Sequence, residues 1–243
     1  MEKWTDTGIV LQARSHGEGG GVFTLLTENH GLYAGYMPGA MSRSNQGIRE
    51  IGSLVTVEWQ ARLEDHLGRL TLELERAYSA KLLNDSKRLL ALKSACALCR
   101  TSLPEREPCP AQFHGLQALL EALTQTGQGD QWPQTYIAWE IGFLNEQGIP
   151  IDLSSCASTG QTEDLAYVSP KSGRAVSVRA GQPYKDKLLP LPAFLGGPEE
   201  GMEEDIHNGL RLTGHFLAHH LYGQTTRAIP PERDQLFSLL VDL

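Results

Sequence analysis

Residues 4–44 read WTDTGIVLQARSHGEGGGVFTLLTENHGLYAGYMPGAMSRS. Three β-rich runs, 8–14, 22–27 and 31–37, are joined here by two turns. The first turn, His16-Gly17-Glu18-Gly19-Gly20-Gly21, is nearly all glycine, which takes positive φ without steric cost. The second, Glu28-Asn29-His30-Gly31, sets Asn and Gly where a tight hairpin needs left-handed residues. After the third run, Pro38-Gly39 releases the chain into a polar loop carrying Arg43 and Arg49, with only Glu50 opposing them. A meander followed by a basic loop predicts the start of a small barrel.

Working outward, two more strands follow. Residues 54–60 are rich in β-branched side chains, with Val55, Val57 and Trp59 on one face. Residues 70–75 alternate strictly, three leucines against polar groups, the period of a half-buried antiparallel strand. Five short strands without a helix-length period between them predict a five-stranded barrel of the OB type. An SH3-like barrel is the structural alternative; the longer gap between the third and fourth strands favours OB.

From Ala80 the period becomes helical and holds to Leu103. Further helices are predicted over 111–123 and 134–147, separated by a loop over 127–133 and ended at Gly148. Residues 149–197 lose the helical period and contain short β-like pieces, 165–169 and 175–178, then an extended Lys187-Leu188-Leu189-Pro190-Leu191-Pro192. A fourth helix opens on an acidic turn and covers about 201–222, and a last one starts at Pro231 and reaches about residue 240. The fold class is therefore α+β. An OB-fold barrel (1–79) precedes an α-helical domain (80–148 and 198–243) that is interrupted by an irregular β-rich insertion (149–197).

The 243 residues carry a formal net charge of −8, which excludes a chain that coats nucleic acid with its whole surface. The acid is unevenly spread: residues 198–243 hold 3 Lys+Arg against 8 Asp+Glu. A local basic patch elsewhere is compatible with this. No apolar run is long enough to span a bilayer, and the first residues lack the basic-then-apolar pattern of a signal peptide. A cytoplasmic protein with reduced cysteines is the expectation, and no membrane is among its partners.

Catalytic patterns are missing from the sequence. The glycine turn lacks the Gly-Lys-Ser/Thr ending of a phosphate loop and leads into a strand, and no nucleophile elbow, His-Glu-x-x-His pair or kinase set occurs. His215 and His219 stand i,i+4 with no acid between them, and His220 is read as pointing elsewhere; a surface role outweighs a metal role. Cys96-Ala97-Leu98-Cys99 has redox spacing but lies in an amphipathic helix without a preceding strand, so both are read as small core residues. No catalytic residue and no cofactor is predicted. What remains is nucleic-acid binding, in which an OB barrel stacks bases on aromatic side chains while Arg and Lys follow the phosphates. The barrel aromatics are Tyr33, Tyr36 and Trp59, and its cations are Lys3, Arg14, Arg43, Arg49, Arg62 and Arg69. Tyr33, Tyr36, Arg14, Arg43, Arg49 and Arg62 are the candidate contacts. Arg14 and Arg43 weigh most because each flanks a glycine-permissive loop near a strand end. The bland alternative makes Tyr36 and Trp59 core residues and Arg62 and Arg69 solubilising ones.

Four motifs stand in order, Trp4-Thr5-Asp6-Thr7-Gly8-Ile9-Val10-Leu11, Arg14-Ser15-His16-Gly17-Glu18, Leu26-Thr27-Glu28-Asn29-His30-Gly31 and Pro38-Gly39-Ala40-Met41-Ser42-Arg43-Ser44. Together they resemble the RecO family of bacterial DNA repair and recombination proteins. Leu103-Pro104-Glu105-Arg106-Glu107-Pro108 and Leu153-Ser154-Ser155-Cys156-Ala157-Ser158-Thr159-Gly160 look like one branch of that family. The resemblance implies an OB domain, a helical domain and a zinc-ribbon-like insertion. It also implies a non-enzymatic protein that binds single- and double-stranded DNA and anneals complementary strands. Its partners would be a RecR-type protein and single-stranded-DNA-binding protein, in loading recombinase. The insertion departs from the zinc-bearing pattern of two Cys-x-x-Cys pairs: Cys156 stands first, but Thr159, Ser177 and Ala180 occupy the other positions. One thiolate cannot close a structural zinc site. The expectation is an insertion without metal, held by packing of Leu165, Tyr167 and Val176. Lys171, Arg174, Arg179, Lys185 and Lys187 leave it slightly positive, which either adds to a DNA path or is scattered solvated charge. Two rival readings are a protein-interaction adaptor, favoured by the net acidity, and an RNA-binding OB protein.

Overall fold

The computed structural model describes residues 2–63, 66–125 and 131–241. The chain forms two compact units, residues 1–128 and 129–243.

The first unit is built on five strands: β1 (Glu2–His16), β2 (Gly20–Thr27), β3 (Gly31–Met37), β4 (Ser53–Ala61) and β5 (Gly68–Ala77). They close into a barrel in the order β1-β2-β3-β5-β4, with β1 returning to pair β4. This is the OB arrangement, and all its contacts are antiparallel except β3 against β5. The strands run longer than their apolar cores predict, β1 most of all. Its first half pairs β4 and its second half β2, so it must bridge both edges of the sheet. A bulge at Leu11 lets it bend between the two. Gly17 (φ 64°) and Gly19 (φ 79°) form the first turn and Gly31 (φ 72°) ends the second, the left-handed conformations that the glycines suggest.

Alternation sorts the barrel side chains cleanly. Val10, Phe23, Leu25, Tyr33, Val55, Val57, Trp59, Leu70 and Leu72 fill the interior, and Ile48 joins them from the short helix α1 (Gln46–Arg49). A second buried row faces outward: Leu54, Ile9, Leu26 and Leu32 are register partners in turn, and all are buried. Helices cover that row. After α2 (Tyr78–Lys81), helix α3 (Ser86–Ser102) lies on β1 and β2, and α4 (Pro110–Leu123) lies on β2. The helix predicted as continuous from residue 80 is thus two, because Asp85 caps a new start by accepting from Arg88 N (3.1 Å). Arg106 N donates to Leu32 O (2.9 Å) and ties the segment before α4 to β3. The first two long helices thus pack on the barrel within the first unit.

The second unit contains α5 (Trp132–Glu146), a three-stranded sheet and two later helices. The sheet strands are β6 (Leu165–Val168), β7 (Ala175–Ser177) and β8 (Leu189–Pro190), in the order β7-β6-β8, with α6 (Val178–Gly181) after β7. Most of the loop expected over 127–133 lies outside the described residues. Helix α7 (Met202–Phe216) passes into a π-turn (Leu217–Leu221), and α8 is Pro231–Val241. Inside this unit Glu140 and Arg233 form a fully buried ion pair: Arg233 Nε donates to Glu140 Oε1 (2.5 Å) and Nη2 to Oε2 (3.0 Å), Leu210 O (2.9 Å) and Thr213 Oγ1 (3.2 Å). Burial alone depresses a guanidinium, but the Glu140 carboxylate outweighs it and holds Arg233 above its ordinary value.

The insertion sheet buries Leu165, Val168, Ala175 and Cys156, while Tyr167 and Val176 are only half-buried. Its core is thus shifted from the expected Leu165–Tyr167–Val176 set, since a bulge between Leu165 and Tyr167 changes which residues face in.

Among the described residues, no helix is long and apolar enough to cross a membrane.

Candidate nucleic-acid interface

Residues paired across neighbouring strands project to the same face, so the register of the barrel generates its exterior rows. One row leaves β1 at Arg14 and passes through Val22, Tyr36, Arg69 and Gln60 before reaching β1 again at Lys3. The displacement along β1 between its two ends is the shear that lets five strands close. Arg14, Arg69 and Lys3 are exposed and Tyr36 is half-buried. Three cations and one aromatic ring therefore follow a single spiral across the barrel wall. Lys3 is partly offset by Glu58 (3.4 Å), whereas Arg14 and Arg69 form no ion pair among the described residues.

Tyr36 is held in place by its neighbours. His16 meets its ring edge-on with centroids 6.0 Å apart, and the ring lies against the backbone of Gly20, where a Cβ would collide with it. The basic loop joins this end of the barrel. Met41 N donates to Gly19 O (3.0 Å), and Gly21 abuts Ala40 and Met41. Arg43 is exposed in the 3-10 turn Arg43–Asn45. Arg49, the last residue of α1, is half-buried; its Nη1 lies 3.2 Å from Met41 Sδ and its Nε is buried without a partner. The strand-end and loop cations singled out in the sequence thus gather about one barrel end. Arg62 is exposed just past β4, in the connection that leads to β5.

Tyr33 does not belong to this surface. It is 6% exposed, inside the barrel, edge-on to both Trp4 (5.0 Å) and Trp59 (5.3 Å). Alternation explains the correction: Tyr33 pairs Leu25 on the inward face, three residues from the outward Tyr36. Its ring cannot stack on a base. Arg69 gains what Tyr33 loses. In the sequence it is one cation in a polar connection, and only the parallel β3–β5 register sets it beside Tyr36.

The other end of β1 carries a polar cluster. Asp6 accepts from Thr7 N (2.9 Å), Asn29 N (2.9 Å), Asn29 Nδ2 (2.9 Å) and His30 Nδ1 (2.7 Å), and Trp4 stacks on His30 at 4.0 Å. Burial pushes the Asp6 carboxyl up, but these bonds outweigh it and hold it below its ordinary value. The arrangement locks the β2–β3 turn to β1, a structural task.

In the second unit Arg174 and Arg179 are both exposed, and Arg174 lies 3.8 Å from Asp152, which offsets its charge. Cys156 Sγ lies 3.4 Å from Ser177 Oγ and accepts from Ser177 N (3.3 Å). Burial pushes this thiol up, yet bonds from Ser177 and Thr159 prevail and bring it down to about 6. One thiol, two hydroxyls and an alanine do not fit a tetrahedral zinc site. Among the described residues, no group of three or more His, Cys, Asp or Glu is placed to hold a metal ion.

His215 and His220 turn together instead of apart. Their Nε2 atoms approach Pro170 O at 3.2 and 3.0 Å, because the π-turn adds a residue per turn and brings i,i+5 onto one face. Burial and the neighbouring histidines lower the His215 pKa against the pull of that carbonyl. Cys96 and Cys99 are buried in α3; desolvation pushes Cys96 up to about 12 and Cys99 upward as well, as befits packed, unreactive thiols.

Comparison with known proteins agrees with this architecture. Residues 1–78 match the family described as Recombination protein O N terminal, and residues 83–228 match Recombination protein O C terminal. The chain is similar to proteins named DNA repair protein RecO over almost its entire length. The match in Rhodospirillum centenum is 50% identical over 233 residues, 95% of this chain and 92% of that protein. In Rhodospirillum rubrum it is 44% identical, covering 99% and 97%, and in Caulobacter vibrioides 43%, covering 99% and 98%. With an OB barrel at its start and both family segments in order, the chain belongs to the RecO family.

Proposed function

We propose that this chain is a non-catalytic DNA-binding protein of recombinational DNA repair. It holds single strands on the outside of its barrel and anneals them. It acts with a RecR-type protein on strands covered by single-stranded-DNA-binding protein, where recombinase is to be loaded. The observation that carries the reading is the outward row Arg14, Tyr36, Arg69 and Lys3, continued by Arg43 and Arg49 at the barrel end. Cations neutralise phosphates and release counterions, and Tyr36 offers a ring to one base. Arg62 borders the same surface, and Arg174 and Arg179 offer a second, weaker set of contacts on the insertion. Like-charged strands brought to one cationic wall are held close enough to pair.

The test is a titration of labelled single-stranded DNA with wild type and an Arg14→Ala/Arg43→Ala variant across a salt series. With about four phosphates contacted, the log–log salt slope is near −3 for the wild type, and the variant lowers it by about 1.4. Equal affinity and slope for both proteins would remove the barrel wall from the account. An annealing assay on complementary strands, run with the same pair, checks that pairing depends on that wall.

A further inference from the structure

A cleft of about 410 Å³ opens beside β1, among the segment after α1 and helices α2 and α3. Gln12, Arg49, Ser79, Leu83, Leu89 and Lys93 line it. Two polar atoms in this wall are buried and have no hydrogen-bond partner among the described residues, Arg49 Nε and Ser79 Oγ. Ser79 is only 4% exposed, so water does not replace the missing bond along most of its surface. Arg49 forms no ion pair among the described residues, and its one polar contact is the Met41 thioether. A half-buried guanidinium in that position has lost hydration without gaining an acceptor.

Both groups can donate, and the exposed Lys93 ammonium adds a third donor. The side-chain acceptors in the lining are Glu50 and Gln12, and the two cations, Arg49 and Lys93, outnumber the single acid. Leu83, which is 71% exposed, and Leu89 supply an aliphatic side. No aromatic ring lines the cleft, so it does not serve base stacking. Gln12 lies two residues before Arg14 on β1, which makes the cleft adjacent to the cationic row.

We propose that this cleft seats a backbone phosphate of a single strand that also lies on the barrel wall. Lys93 Nζ meets its non-bridging oxygens at the open side, side-chain rotation brings the buried Arg49 Nε and Ser79 Oγ round to donate to them, and the sugar rests on Leu83 and Leu89. The inference rests on the DNA-binding reading above and adds a residue set that the reading does not use, Ser79 and Lys93. An acidic peptide presents similar acceptors, but adjacency to the Arg14 row favours the strand.

The experiment measures labelled oligothymidylate binding by the full chain in a salt series, with Ser79→Ala, Lys93→Met and, as reference, Arg14→Ala. Lys93→Met should lower the slope by about 0.7, one single-strand phosphate. Ser79→Ala should weaken binding about threefold to tenfold, the loss of one hydrogen bond. Its urea midpoint should stay level or rise, because an unpaired hydroxyl has been removed, and a merely structural serine would not give that combination. Wild-type affinity and slope for both cleft variants, with Arg14→Ala weakened, would overturn the cleft and leave the barrel wall standing. Wild-type behaviour for Arg14→Ala as well would remove the DNA-binding wall itself. Loss of polyglutamate binding in the cleft variants with DNA affinity unchanged would also overturn the proposal.

Discussion

The ring of Tyr36 lies across Gly20, so closely that a methyl group at Gly20 would occupy the same space. Gly20 has no positive φ, so the glycine is there for the ring and not for the turn. Gly20→Ala should displace Tyr36 and cost about 1–3 kcal/mol, the usual range for overpacking. In a Tyr36→Ala background the same change should cost little, since the obstructing ring is gone. Urea unfolding of the four proteins checks the cycle; equal costs in both backgrounds would show that the two residues do not interact. Single-strand affinity should fall in Gly20→Ala nearly as far as in Tyr36→Ala.

Asp6 lends itself to a pH test. Its carboxylate gathers four donors, so its folded pKa lies below the unfolded value of about 3.9. Such a group contributes stability that is fully present above the unfolded pKa and is lost as pH falls through the folded pKa. The advantage of wild type over Asp6→Asn should therefore be constant at neutral pH and shrink progressively below about pH 4. Asp6→Ala should cost about 1–2 kcal/mol at pH 7, because four donors, half-buried or exposed, lose their shared acceptor. A difference between wild type and Asp6→Asn that does not change down to acid unfolding would count against this role.

The barrel was legible because its signals are local. Glycine turns, strict alternation in 70–75 and the basic loop each specify a few neighbouring residues, and all agree with five closed strands. The site was harder to read, because membership depends on register. Tyr33 and Tyr36 look equivalent in sequence, yet one lies inside the barrel and the other outside. Arg69 joins Tyr36 only through the parallel β3–β5 contact, which no local pattern announces. The break at residues 82–85 was hidden because Leu82 and Leu83 fit the helical period. One signal was available: Asn84-Asp85-Ser86 is a good helix start. The π-turn brings His215 and His220 together on the Pro170 carbonyl, which lies far away in sequence.

Glu140 and Arg233 form a buried ion pair inside the second unit. Both are buried, and Thr213 and Leu210 O complete the guanidinium's partners. Arg233→Met should cost about 3–5 kcal/mol, most of it from the carboxylate left without a counter-charge. Glu140→Leu/Arg233→Met should recover most of that loss, since a packed apolar pair need not be worse than a buried ionic one. Thermal or urea unfolding of the single and double variants decides it. A double variant as unstable as the sum of its singles would mean that the two charges are not coupled.

The insertion offers the last test, on Cys156. With Thr159, Ser177 and Ala180 at the companion positions, purified protein should contain no stoichiometric zinc after incubation with the metal and desalting. Thr159→Cys/Ser177→Cys/Ala180→Cys restores four thiolates and should bind about one zinc per chain. The wild-type thiol has its own signature, because its hydrogen bonds favour the thiolate and bring it to about 6 from an ordinary 9.0. A group depressed in the folded state binds fewer protons there than in the unfolded chain, so stability rises with pH across that interval. Wild type should gain on Cys156→Ser between about pH 6 and about pH 9, with the full advantage present above the upper limit. Alkylation should be slow at any pH, since Cys156 is 1% exposed and reacts only when the insertion opens. One zinc per wild-type chain, or a stability difference flat across that range, would show that Ser177 and Thr159 do not replace the metal in the way their bonds to Cys156 suggest.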